Sequence, residues 1–447
     1  MKQRRPRFVA LATAATLLAM LPTLGEGIGP APQAAGETRR VGRGPHSVDC
    51  QRGLGLERRV ARPAPLGNLR PVFTAVTASP LTDSTAPVLG TDGQYHVVYE
   101  LLIQNTKSVT ATIQRIDVVA GDNEARVLAS LHGADLVRNV ADLAARRVDN
   151  AEIEPNGGRL VALDVTFPSL ATVPRTLMHR LEALAANSPG ARTSTLVSYT
   201  IAPFDTAATG PPVLGPPLAG ARWVAANGCC AVGFPHRFSV QSITGRLVNA
   251  QRFAIDYMRL TEDGYLVKGD QRDVRNWAGY GASVLAVANG TIVETLDGLP
   301  DQVPGSLPDP TTITLQNVEG NHVIIDLGCG FYGFYAHLQK GSIRVKPGDR
   351  VVRGQTLGRL GNSGNTSAPH LHFHVMRGPS ALLADGAPYV IDTFAYGGQV
   401  PLRQFEDSQT LEERFGVGRL PRPEPRTKQY PLQLNIIDFP KSREAGT

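Results

Sequence analysis

The chain has 447 residues, enough for two or three domains, and 42% hydrophobic against 19% charged residues excludes an extended polar polymer. Its formal charge of +6 is concentrated at the start, where residues 1–7, MKQRRPR, hold four positive charges and no negative ones. Losing those four charges takes +6 to +2, a balance that argues against a nucleic-acid partner.

In chain order, the basic start runs into FVALATAATLLAMLPTL, residues 8–24. A basic start before a short apolar run predicts a signal peptide within residues 1–35 and hence export to the cell envelope or beyond. The alternative is an uncleaved membrane anchor, because this run is at the lower length limit for spanning. Residues 36–70 are rich in Arg, Gly and Pro and read as an extended linker. Over 71–208, apolar alternation in YHVVYELLIQN (95–105), VTATIQRIDVVAG (109–121), RLVALDVTFP (159–168) and TSTLVSYTIAPF (193–204) predicts an antiparallel β-sandwich of immunoglobulin-like type. Apolar residues three and four apart predict a helix over 134–148. The sandwich carries no reactive cluster and reads as a spacer or as a binding module for an envelope protein.

Residues 209–238 begin TGPPVLGPPLAG and read as a second linker, ending in a segment with Cys229 and Cys230. With Cys50 and Cys329 they make four cysteines, an even number in a chain expected to be exported. Adjacent cysteines make a strained pair, so each is expected to join Cys50 or Cys329; equally, Cys329 reads as a small buried residue. From 239 to 398 the chain reads as short strands joined by glycine turns, an all-β domain. The tail, 399–447, is charged, with one candidate strand in YPLQLNIIDF (430–439).

The chemistry is concentrated in HLHFHV, residues 370–375, where three of the chain's 10 histidines alternate. Successive strand side chains point to opposite faces, so His370, His372 and His374 share one face at spacings of roughly 6.6 Å. Two such imidazoles can contribute to one metal site if neighbouring strands supply the rest.

The surrounding motifs give this strand a context. The AID of QRFAIDY (251–257), GASVLAVANGTIV (281–293), GN (320–321), YAHL (335–338), VKPGDRVVRGQTLGRLGNSG (345–364) and PHLHF (369–373) follow one another in order. Over about 240–395 the sequence resembles the lysostaphin-like, LytM-type zinc metalloendopeptidases. The resemblance implies a small all-β peptidase domain with a groove across its sheet, one Zn2+ per chain, and a peptide of bacterial peptidoglycan as substrate. In that family a His and an Asp spaced HxxxD and the second His of HxH hold the metal. Carried over, Asp256 and His372 are ligands, and His337 and His370 activate the attacking water.

One position departs from the family pattern. Four residues before Asp256 stands Arg252, whose guanidinium has no lone pair for a metal. His236 in GFPHRFS is the candidate replacement ligand, or a surface-loop residue; His374 is the reserve candidate, or a residue outside the ligand set. Arg252 reads as an ion-pair partner or a clamp on an acidic substrate group, and with Asn321 and Tyr335 it forms the candidate substrate contacts. Trp277 and Tyr280 line the groove or belong to the core. The rival reading is a catalytically inactive relative that binds the wall or regulates, because Arg252 replaces the first ligand.

Overall fold

The computed structural model describes residues 72–207, 210–406, 414–415 and 418–441; the expected signal peptide, the linker over 36–70 and Cys50 lie outside them. Among the described residues no helix is long and apolar enough to cross a membrane.

The N-terminal region is a two-sheet sandwich. One sheet runs in the order Thr77–Pro80, Tyr95–Gln104, Gly158–Phe167, Val140–Ala141; the other runs Ser84–Thr85, Ser194–Thr206, Thr176–Ala186, Ala111–Ala120, Asn123–His132. β-branched and aromatic residues fill the strands, and Val97, Tyr99, Leu101 and Ile103 point from one face of Tyr95–Gln104 into the core. The helix expected over 134–148 shrinks to Gly133–Arg138. Just beyond it, Val140 and Ala141 pair with Val161 and Leu160, so strand pairing overrides the helical period.

The C-terminal region is built on one large sheet. Its central order is Val390–Gln399, Asn435–Asp438, Trp223–Ala226, Ile255–Arg259, Leu371–Met376, Phe331–Leu338, Asn321–Gly328, Gly290–Leu296. One segment read from sequence as a connector, and the candidate strand within 430–439, therefore join this sheet. Trp223–Ala226, in the second linker, pairs with Ile255–Arg259, and Asn435–Asp438, in the tail, pairs with Trp223–Ala226. Cys229 and Cys230 are bonded to each other, which corrects the expected pairing with Cys50 or Cys329; their Cα atoms lie 3.0 Å apart. Cys329 is disulfide-bonded as well, so it is not a free buried thiol.

The two regions share a packed boundary. On Tyr95–Gln104 the face opposite the sandwich core carries Val98, which packs into the C-terminal core, and Glu100, which is fully buried. Tyr430 donates its backbone N–H to Leu89 at 2.8 Å, and Thr91 bonds Asn435.

Candidate metal centre

The histidine strand, Leu371–Met376, lies between Ile255–Arg259 and Phe331–Leu338. Its register puts His372 opposite Asp256 on one side and opposite Ala336 on the other. His337, next along that second neighbour, is thereby brought to the same face. His337, His370 and His372 offer ring nitrogens within 4.8 Å of one another, and so do His236, Asp256 and His372 as ligand atoms.

Asp256 is the hub. Its Oδ1 accepts from His372 Nδ1 at 2.9 Å and lies 3.4 Å from His370 Nε2. Its Oδ2 accepts from Asn227 Nδ2 at 2.7 Å and lies 3.6 Å from His236 Nε2. Burial pushes the Asp256 carboxyl up, but the surrounding imidazoles, led by His236 and His370, more than offset it and hold the pKa well below the usual carboxylate range.

Each histidine is oriented by a second bond. His236 sits in the 3-10 turn Pro235–Phe238, and its Nδ1–H donates to the Ala254 carbonyl at 3.0 Å. That tautomer leaves the lone pair on Nε2, the buried atom that faces Asp256 and has no hydrogen-bond partner. His337 Nδ1 donates to the Ser363 carbonyl at 2.8 Å, and His370 Nδ1 donates to the Ala368 carbonyl at 2.7 Å. His374 Nδ1 donates to His372 Nε2 at 2.9 Å, while its own Nε2 is buried and unpartnered.

The protonation states separate. Burial lowers His236 to about 4 and carries His337 and His374 well below the ordinary value, with neighbouring imidazoles adding to the effect. Burial also acts downward on His370, but the Asp256 carboxylate more than reverses it, and its pKa is raised. Burial thus pushes His236, His337 and His374 toward the neutral form, while Asp256 pushes His370 toward the protonated one.

Local backbone geometry supports this face. His337 has φ +61°, a left-handed conformation that a non-glycine residue adopts only under constraint. The constraint comes from the 361–364 loop, whose Gly361 N–H bonds the His337 carbonyl. A Cβ on Gly320 would lie 2.2 Å from the Ser363 oxygen, and one on Gly364 would lie 2.3 Å from Gly320 N. Both glycines have positive φ, so the GN and GNSG motifs are where two loops touch and fix the carbonyl that orients His337.

The structure corrects the three expected substrate contacts. Arg252 is buried and bonds Glu100, Asp385 and the Gly386 carbonyl, away from Asp256. Asn321 is fully buried, with Nδ2 spent on the Leu299 and Leu338 carbonyls. Tyr335 is fully buried, and its hydroxyl accepts from Val287 N at 2.9 Å. All three side chains are held inside the fold, Arg252 Nη2 through ion pairs with Glu100 and Asp385. Trp277 is core; Tyr280 is partly exposed and donates to Asp301. Sequence reasoning missed Asn227, Ser363 and Glu319. Glu319 is a buried carboxyl with no hydrogen bond on either oxygen, raised by that burial. No motif marks Asn227 or Glu319; the GNSG run points to Ser363.

Residues 274–383 match the model for Peptidase family M23. That stretch is an M23 peptidase domain. The M23 match includes His337, His370, His372 and His374 and begins after His236 and Asp256. Peptidoglycan DD-endopeptidase ShyA of Vibrio cholerae is 37% identical over 94 residues, 21% of this chain and 21% of that protein. Peptidoglycan DD-endopeptidase ShyC of the same organism is 42% identical over 57 residues, 13% of each. This chain thus spans about a fifth or less of the length of these relatives. Among solved structures, the catalytic domain of lysostaphin from Staphylococcus simulans is 22% identical, with 37% of this chain and 88% of that one covered and a TM-score of 0.21. A zinc-containing peptidase from Vibrio cholerae is 16% identical, covering 68% and 85%, with a TM-score of 0.24.

Proposed function

We propose that this protein is an exported zinc metalloendopeptidase that hydrolyses peptide cross-links of bacterial peptidoglycan. The observation that carries the reading is His236 Nε2, buried, unpartnered and 3.6 Å from Asp256 Oδ2. Two imidazoles and a carboxylate are a donor set that zinc accepts, with room for a fourth position. His236, Asp256 and His372 would hold the ion, so the ligand absent at position 252 is supplied from 16 residues earlier in the chain. Bound there, zinc would act as a Lewis acid on the scissile carbonyl and lower the pKa of water.

The remaining work falls to this chain's own residues. His337, neutral and fixed through Nδ1, presents Nε2 as a base for the proton of the attacking water. His370, oriented by its Nδ1 bond to the Ala368 carbonyl, presents Nε2 where a proton donor can stabilise the developing oxyanion or protonate the leaving amine. Asn227 and the Ala254 carbonyl fix the carboxylate and the His236 ring.

The test joins metal content to turnover. Purified protein should carry one zinc per chain and release shortened cross-link peptides from isolated peptidoglycan, read by mass spectrometry. Protein that folds, binds peptidoglycan and takes up no stoichiometric zinc would be the non-cleaving module instead.

A further inference from the structure

We propose that Glu100, in the N-terminal sandwich, is a positioning residue for the metal centre, and that the centre is therefore assembled by both regions of the molecule. The inference rests on the metal-site reading above.

Glu100 is fully buried and faces away from its own sandwich core. Its side-chain partners come from the C-terminal region. Oε1 accepts from Arg237 Nη1 at 2.6 Å and from Asn249 Nδ2 at 3.1 Å. Oε2 accepts from Arg252 Nε at 2.8 Å and pairs with Nη2 at 2.7 Å. Burial pushes the carboxyl up, yet Arg252 and Arg237 more than offset it, so Glu100 stays charged.

Those partners lead to the ligands. Arg237 is the residue after His236 and also donates to the Cys230 carbonyl at 3.2 Å and, across the boundary, to the Leu163 carbonyl at 3.2 Å. Arg252 stands two residues before Ala254, whose carbonyl sets the His236 tautomer, and four before Asp256. Its Nη1 donates to the Gly386 carbonyl at 2.9 Å, and Gly386 pairs with Met376 at the end of the histidine strand. One carboxylate thus ties down the His236 turn, the approach to Asp256 and the neighbour of the His372 strand. Arg252 occupies the position of the missing ligand and serves the same site through Glu100.

Stability alone is a weak reason for such a cluster, because apolar residues of equal volume often hold a boundary as well as a buried ion network does. Position is the better reason. A guanidinium fork on a carboxylate accepts a narrow range of geometries, and the cluster links segments whose relative placement sets ligand distances.

The test uses the full chain with Glu100→Gln, which removes the charge and keeps the shape, and Arg252→Lys, which keeps a charge and loses the fork. Zinc affinity is read by competition with a chromogenic chelator, and ligand geometry by the visible spectrum of the cobalt-substituted protein. Both variants should bind zinc about 10–100-fold more weakly, with altered cobalt spectra. Tyr199→Phe, which removes a sandwich hydrogen bond to the Val76 backbone outside this network, should leave both readouts unchanged. Wild-type affinity and spectrum in Glu100→Gln would overturn the inference, as would an equal loss in Tyr199→Phe. Where Glu100→Gln does not fold, Arg252→Lys decides on the same two readouts. Wild-type protein that takes up neither zinc nor cobalt would bring down the metal site itself, a different failure from a bound metal indifferent to Glu100.

Discussion

Both halves of the molecule bury a histidine completely, and the two are treated in opposite ways. In the sandwich, His179 Nε2 meets the Tyr99 hydroxyl at 2.7 Å and Nδ1 donates to the Ala202 carbonyl at 2.7 Å. Every polar atom of that ring is used. In the C-terminal sheet, His236 and His374 are as deeply buried, yet each keeps one unpartnered ring nitrogen. An unsatisfied buried nitrogen costs free energy that a fold tolerates only where the atom has another use. Burial of histidine therefore says little by itself: His236 and His374 each keep a free ring nitrogen, whereas His372 spends Nδ1 on Asp256 and Nε2 on His374.

The sharpest way to break this contrast is to remove one ring from each half. His236→Ala should lose stoichiometric zinc, and with it peptidoglycan cleavage, by on the order of 10³-fold or more. His374→Ala, which removes only the bond to His372 Nε2, should weaken zinc by about 10–100-fold. Equal losses in the two variants, by metal competition, would show that the unpartnered nitrogen of His236 carries no special weight. His179→Leu should leave zinc content and turnover per folded molecule unchanged. It strands the Tyr99 hydroxyl and should lower unfolding free energy by about 1–3 kcal/mol in urea titrations.

The same contrast can be sharpened with pH in metal-free protein. Burial lowers His179 to about 4 in the folded state. The unfolded chain then binds the extra proton between pH 6.5 and about 4, so this contribution is complete above 6.5 and is lost as pH falls through that window. His96 runs the other way. Burial acts downward on it, but bonds to Asp164 and Asp92 raise it to about 9. Its contribution is complete below 6.5 and is lost as pH rises to about 9. Urea midpoints should therefore fall on both sides, with the acid slope flatter in His179→Leu and the alkaline slope flatter in His96→Gln. Tyr335→Phe is expected to act on stability alone. It strands the buried Val287 N–H and should cost about 1–3 kcal/mol of stability, with kcat and KM unchanged.

Much of the fold was legible because alternating β-branched residues mark strands such as Tyr95–Gln104 and Gly158–Phe167 without help from the rest of the chain. Thr176–Ala186 was not. Its TLMHRLEALAA is rich in helix formers, and the ladders to Ala111–Ala120 and Ser194–Thr206 make it a strand. At the site, the alternation in HLHFHV put His370, His372 and His374 on one strand face, and the family resemblance implied the roles given to Asp256, His337, His370 and His372. His236 was legible as a candidate because Arg252 cannot ligate. What Arg252 does instead could not be read, since its partner Glu100 lies 152 residues away in another sheet. Asn321 and Tyr335 were read as substrate contacts because sequence gives their identity and not their burial.

The strand Asn435–Asp438 stands between Val390–Gln399 and Trp223–Ala226. Leu434 N–H bonds the Ala225 carbonyl at 2.7 Å, and Gln433 N–H bonds the Cys229 carbonyl at 3.0 Å, behind the segment that runs from Asn227 to His236. The ribosome delivers this strand after every ligand has been made. Pairings of such sequence separation form late, once loop-closure entropy has been overcome. The segments at 236 and 256, proposed to hold the metal, thus lack their final backing until residue 438 has emerged. On that proposal, metal uptake would be an event of the finished fold.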